Sequence, residues 1–319
     1  MLSTPVALFL FNRPEETQRV FTTIAAAKPR HLLLVADGPR NTEEAALCEQ
    51  TRAVVQRVDW ECKVETLFSD VNLGCGLRVS SGLDWVFERV PEAIILEDDC
   101  LPAPSFFPFC EELLEKYRDD ERIMMIGGTN LLGDLPVEES YVYSRSFNIW
   151  GWATWRRAWA HYDFTLQQWP FLQASRQLEN LYVHRDTRHV FSTFFDAVYR
   201  GQLDLWDVQW IYACLFNNGL SIVPRTNLIS NVGIAGYHTK QQDRTHLLPL
   251  GQLSWPLQAP AMVYPDQRYD EPFFRQQCKM YWWQYLRIFI GRITPQPLKS
   301  FLKPLLKSLL KPLLKAKKE

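Results

Sequence analysis

Three consecutive carboxylates, Glu97-Asp98-Asp99, follow directly on the apolar run Ala93-Ile94-Ile95-Leu96. Adjacent acids repel one another, so they are stable together only where water or a cation neutralises them. Hard divalent ions take oxygen ligands and commonly bridge to phosphate oxygens. The triplet is therefore a candidate metal–diphosphate site, and the alternative is a solvated acidic turn. Asp37-Gly38 is a second candidate. Its carboxylate could accept hydrogen bonds from a base or ribose while the glycine permits a tight turn, or it is a plain Asp-Gly turn. Arg13 and Arg78 could contact phosphate or face solvent. Asp207 lies in Asp204-Leu205-Trp206-Asp207-Val208-Gln209-Trp210, where large aromatic neighbours would raise a carboxyl pKa and suit a general base. The competing role is an N-cap for a helix beginning near Trp210. His238 could ligate a metal or donate to phosphate, and it could equally be structural. Trp150, Trp152 and Trp155 could stack on a sugar ring or belong to the core.

Such groups need a frame. Val6 to Phe11, His31 to Ala36, Val64 to Phe68 and Ala93 to Leu96 read as buried strands, and Glu15 to Ala27, Thr42 to Val58 and Leu77 to Glu88 as helices between them. That alternation predicts an α/β fold with a mostly parallel central sheet flanked by helices and joined by right-handed crossovers. Open sheets of this kind place ligands at the carboxyl ends of their strands. Asn12-Arg13-Pro14, Asp37-Gly38, Asn72-Leu73-Gly74 and Glu97-Asp98-Asp99 would all meet there. Phe106 to Tyr117 reads as a further helix and Ile123 to Gly128 as a strand, after which the alternation fades. Tyr141 to Tyr143 and Leu220 to Pro224 read as strands, Phe191 to Tyr199 and Trp210 to Phe216 as helices, and residues 240–275 as a long surface excursion. The organisation expected is two halves of one domain over 1–129 and 130–240, an extension over 241–297 and a tail over 298–319.

Composition excludes several classes. The formal net charge is −1, yet residues 298–319 carry seven Lys and one Glu, leaving −7 on the remainder. The body has no basic character, which argues against nucleic-acid binding. Asn72-Leu73-Gly74-Cys75-Gly76 lacks dinucleotide-fold and P-loop spacing. Seven cysteines without a CxxC pair predict no disulfide framework. With no signal peptide and no 18-residue apolar span in view, a cytoplasmic protein is expected. The tail repeats Lys every fourth residue with paired Leu between, interrupted by Pro304 and Pro312. A basic amphipathic segment of this kind suits an anionic membrane interface, or alternatively a partner or the protein's own body.

The stretch Ile94 to Phe107 resembles the GT-A glycosyltransferases, and in particular the family of alpha-mannoside N-acetylglucosaminyltransferase I and related bacterial glycosyltransferases. It matches that family's apolar strand, the Glu-Asp-Asp form of its DxD motif and a helix opening with paired Phe. Asn12-Arg13 resembles the first-strand pair that contacts the nucleotide, and Asp37-Gly38 the acid that reads the base. Trp150-Gly151-Trp152 is similar to the Gly-Trp segment of the acceptor half, Trp206-Asp207 to the segment whose acid deprotonates the acceptor, and Asn231 to His238 to the segment that follows. Val208 stands where that family has a second acid. The resemblance covers roughly residues 5–240. It implies Mn2+ or Mg2+ on Asp99, with His238 as a further ligand. It implies nucleotide-sugar contacts from Asn12, Arg13, Asp37, Glu97 and Asp98, to which Arg78 is added for its place at a helix start, acceptor contacts from Trp150, Trp152 and Trp206, and Asp207 as the base of an inverting transfer. The donor would be a nucleotide-diphospho-sugar, UDP-linked for preference. The acceptor would be a glycan or lipid-linked envelope or capsule precursor, reached with residues 298–319 on the inner membrane surface. The alternatives are a sugar-1-phosphate nucleotidyltransferase and a non-catalytic carbohydrate- or membrane-binding module.

Overall fold

Alternate residues of the first strand face opposite ways and every one of them is buried, which requires cover on both sides of the sheet. The computed structural model describes residues 1–182, 184–233 and 247–278. It begins β1 (Val6–Leu10), α1 (Pro14–Ala27), β2 (His31–Ala36), α2 (Thr42–Val55), β3 (Lys63–Phe68), α3 (Cys75–Arg89) and β4 (Glu92–Glu97). Ala7, Phe9, Leu33, Val35 and Ile95 enter one core with Val79, Leu83 and Val86 of α3. Val6, Leu8, Leu32, Leu34, Ile94 and Leu96 enter a second core with Val20, Phe21 and Ile24 of α1. The period of two thus divides each strand between two hydrophobic layers. β3, at the sheet edge, is the partly exposed strand of the set.

The chain continues through β5 (Cys100–Pro102), α4 (Phe106–Lys116), β6 (Ile123–Gly127), β7 (Tyr141–Ser144), β8 (Trp152–Trp155), α5 (Arg156–Trp159), α6 (Trp169–Ala174), α7 (Leu178–Leu181), α8 (Arg185–Tyr199), α9 (Asp207–Phe216), β9 (Leu220–Pro224) and β10 (Ile229–Asn231). Eight strands form one sheet in the order β3-β2-β1-β4-β8-β6-β9-β7, and β10 pairs with β5 in a small second sheet. Within the large sheet β3, β2, β1 and β4 are parallel neighbours, as are β6 and β9. β8 runs against both β4 and β6, and β7 against β9. The fold is α/β with a mixed sheet flanked by helices.

The expected strand–helix alternation of the first hundred residues is present. Other features differ from the expectation. Residues 152–155, expected as part of an aromatic knot, form a central strand that pairs with both β4 and β6 and buries all four of its residues. The helix expected to begin at Phe191 begins at Arg185, whose first turn is polar. Residues 267–278 are helical, and 267–275 of them fall in the stretch expected as a surface excursion. Among the described residues no helix is long and apolar enough to cross a membrane. The tail over 298–319 lies outside the described residues.

Close packing of α3 against the sheet requires Gly82. A Cβ there would stand 2.6 Å from Phe9 Cε1 and 2.8 Å from Val35 Cγ1. Alanine favours a helix over glycine by about 1 kcal/mol, whereas overpacking a core costs about 1–3 kcal/mol. Gly82→Ala is expected to lower the urea midpoint in equilibrium unfolding. A raised midpoint would contradict this packing.

Candidate active site

In-phase pairing brings the ends of three strands side by side. Leu10 pairs with Ala36 and Phe9 with Glu97, so Phe11 to Arg13, Asp37 and Asp98-Asp99 emerge together at the carboxyl edge. Asp98 is 4% exposed and accepts hydrogen bonds from the Phe11 backbone N–H (3.0 Å) and from Arg13 Nη1 (2.9 Å). Arg13 Nη1 also lies 2.6 Å from Asp99 Oδ2. One guanidinium therefore meets two carboxylates at the end of β4, and Asn12 sits half-buried beside it in the turn before α1. Burial alone would lower the Arg13 pKa, but Asp98, Asp99 and Glu97 together hold it above its usual range.

The third acid has no such partner. Glu97 Oε1 is buried without a hydrogen bond. Burial, followed by repulsion from Asp99 and Asp98, pushes the Glu97 carboxyl up to about 8, and Asp207 adds to the repulsion. Burial pushes Asp98 up to about 7 against the opposing pull of Arg13. The triplet is thus short of positive charge. A hard cation with oxygen ligands fits that deficit, and the orphaned Glu97 oxygen is consistent with it. Among the described residues no three His, Cys, Asp or Glu side chains gather into a ready-made metal cage. A fitting ion would take one or two carboxylates here and complete its shell from phosphate oxygens and water, as Mg2+ commonly does.

The strand pair β10–β5 backs this turn. Asn231 pairs with Cys100, and the Val232 N–H donates to the Asp99 carbonyl at 2.7 Å. Gly233 lies so close that a Cβ would overlap Asp99 Oδ2. Residue 233 therefore reaches the acids. His238, expected to follow as a ligand, lies outside the described residues.

Asp37 and Arg78 are placed differently from the expectation. Asp37 accepts hydrogen bonds from the Gly38 N–H, Asn72 Nδ2, the Leu73 N–H and the Gly74 N–H. Its carboxylate folds the β3–α3 turn rather than standing open to a base. Arg78 is 7% exposed, and its Nη2 donates to the Leu67 carbonyl at 3.2 Å. Burial lowers its pKa while Asp37 opposes the shift. The guanidinium is buried against the end of β3, with its Nε left without a hydrogen bond.

Two of the three expected acceptor platforms are also corrected. Trp152 and Trp206 are 1% and 3% exposed and stack on each other with centroids 5.9 Å apart. Trp210 closes on Trp152 at 5.4 Å. These rings are core, covered by one another, and offer no face to a sugar. Trp150 remains half-buried, its carbonyl accepting from Thr129 Oγ1.

Asp207 occupies the first turn of α9, where an anion is favoured by the helix dipole. The N-cap is Trp206, so Asp207 is not the cap itself. Its nearness to the triplet shows in the Glu97 shift and again at Cys75. That thiol is pushed up to about 12 by the crowding around it and by Glu97, Asp207, Asp204 and Asp37. Acids from the ends of β2 and β4 and from the segment that opens α9 thus act on one thiol. Asp204 and Phe11 carry no sign of a role in the sequence, and each acts through one hydrogen bond with the backbone that no local pattern signals.

No family model matches this chain, and no curated protein matches it. Among solved structures it is similar to UDP-glucose pyrophosphorylase complexed with UDP-glucose, at 10% identity and a TM-score of 0.36 over 73% of this chain and 94% of that one. Similarity at that level carries no conclusion about function.

In the folded protein Asp98 keeps its proton up to about pH 7 and Glu97 up to about pH 8, whereas the unfolded chain has released both above about pH 4.5, so these two groups favour the fold at low pH and lose that contribution as pH rises. Glu97→Gln removes one of them. The variant is expected to melt at higher temperature than the parent at pH 8, with the difference shrinking toward pH 5. Mn2+ is expected to raise the parent's melting temperature more at pH 8 than at pH 6. A pH-independent difference between variant and parent would contradict the charge-deficit description.

Proposed function

We propose that this chain is a metal-dependent glycosyltransferase of the GT-A type, moving a sugar from a nucleotide-diphospho-sugar to an acceptor hydroxyl with inversion. The observation that supports it most is the convergence of Glu97, Asp98, Asp99 and Arg13 at the carboxyl ends of parallel strands, with Asp207 in electrostatic reach of Glu97. Strand ends of this kind are where open α/β sheets bind nucleotides. The chemistry supplied by a bound Mn2+ or Mg2+ would be neutralisation of charge on the leaving diphosphate.

In this reading Asp99 is the principal ligand, and Glu97 is available to share the ion. Arg13 pairs with Asp98 and Asp99 and adds positive charge beside the diphosphate. Asn12 and Asp98 line the donor side. Asp207 takes the proton from the acceptor hydroxyl as it attacks the sugar carbon, and the bond to the diphosphate breaks on the opposite face. Trp150 is the aromatic left for the acceptor. Residues 298–319, by their Lys spacing and paired Leu, are assigned to an anionic membrane surface, where lipid-linked acceptors would be met.

A panel of UDP-sugars incubated with Mn2+ is expected to yield UDP from at least one member. Asp207→Asn is expected to lower that turnover about 10²–10⁴-fold, the usual worth of a general base, while leaving UDP affinity nearly intact. Formation of UTP and sugar-1-phosphate when pyrophosphate is added to the UDP-sugar, in place of UDP release, would instead establish nucleotidyl transfer. Joint loss of turnover and UDP binding in Asp207→Asn would make Asp207 structural. Removal of residues 298–319 is expected to release the protein from phosphatidylglycerol-containing vesicles in a sedimentation assay, and retention on the vesicles would defeat the membrane assignment.

A further inference from the structure

The turn between β3 and α3 is held from two directions by carboxylates far apart in the chain. Asp37 takes the Leu73 and Gly74 N–H groups from one side. From the other, Asp204 Oδ1 accepts the Gly76 N–H at 3.0 Å. Helix α3 starts at Cys75 after Gly74, whose φ of 82° suits glycine, and no side chain of that turn caps it. The first amides of a helix need an acceptor, and a carboxylate there gains further from the helix dipole. Asp204 supplies that acceptor across a sequence separation of 128 residues.

The fit is close. A Cβ on Gly74 would stand 2.6 Å from Asp204 Oδ2, and a Cβ on Gly76 would overlap Asp204 Oδ1 and come within 3.0 Å of the Leu205 carbonyl. The residues between Asp204 and Asp207 are fixed in turn. The Leu205 carbonyl accepts from Gln209 Nε2 at 2.6 Å, and the Trp206 carbonyl accepts from Tyr162 Oη at 3.1 Å. The segment 204–207 is therefore a short rigid link between the start of α3 and the start of α9.

We propose that Asp204 is a positioning residue that sets the place of Asp207 by capping α3 from a distant part of the chain. The inference rests on the reading of Asp207 as the base. It also joins the two sides of the site: the turn whose amides Asp37 holds is the turn that anchors the link to Asp207.

Three variants, Asp204→Ala, Asp204→Asn and Gly76→Ala, test it beside Asp207→Asn. Each is assayed for Mn2+-dependent UDP-sugar hydrolysis normalised to sites that bind UDP, and for hydrogen exchange at the Gly76 amide. Gly76→Ala matters because alanine otherwise suits a helical turn better than glycine, so its harm would come from displacing Asp204. Asp204→Ala and Gly76→Ala are expected to lower kcat per UDP-binding site about 10²-fold, as misplacing a reacting group by an ångström does, with KM little changed. Asp204→Asn keeps an acceptor oxygen and is expected to recover most of kcat. Exchange at Gly76 should be faster in Asp204→Ala than in the parent or Asp204→Asn. Wild-type kcat in both Asp204→Ala and Gly76→Ala, with Asp207→Asn inactive, would overturn the positioning role alone. Wild-type kcat in Asp207→Asn would overturn the base assignment, and the positioning role with it.

Discussion

One guanidinium facing three consecutive carboxylates is the arrangement on which this end of the molecule depends. Arg13 neutralises part of Asp98 and Asp99 and leaves the Glu97 Oε1 buried without a hydrogen bond and that carboxyl reluctant to ionise. Burying like charges together is unfavourable unless something binds them, so the cluster stores an electrostatic demand that a cation with phosphate oxygens would meet. Much of the surrounding architecture keeps the cluster in place. The Phe11 amide fastens Asp98 to the neighbouring strand, and β10 fastens the Asp99 backbone from behind.

The sheet makes that possible by being buried on both faces. Because alternate residues of β1, β2 and β4 serve two separate cores, the strands cannot slip by one residue without exchanging their faces. Their ends are therefore aligned to within a residue, and the loops that follow are delivered to a common edge. Insertion of β8 between β4 and β6 extends the same principle: the strand is short, but Trp152 and Trp155 supply apolar bulk to opposite layers. The large aromatics of the second half thus serve the fold more than the surface.

What can be read from sequence follows from how local each signal is. The apolar runs of β1, β2 and β4 and the polar turns that end them are contiguous, so the strands, the α/β class and the grouping of Arg13 with Glu97, Asp98 and Asp99 are legible in the chain itself. β8 is not, because a Trp-Ala-Thr-Trp tetrapeptide behind a glycine looks like a strand only when β4 and β6 stand on either side. The functions expected of Trp152 and Trp206 rest on exposure, and their burial depends on each other across 54 positions. Asp37 looks like an open acid because the amides that occupy it come from residues 72–74. Asp204 is the least legible, since a cap supplied from the far half of the chain leaves no pattern at the helix it caps.

In the proposed function Asp99, with its neighbours, would hold a divalent ion that in turn would hold a nucleotide diphosphate. Calorimetric titration of UDP into the full-length protein with Mn2+ and with EDTA, repeated on Asp99→Ala, tests it most directly. Binding is expected to be strong only with Mn2+ in the parent and lost in the variant. UDP binding that is indifferent to metal, or that survives Asp99→Ala unchanged, would contradict it.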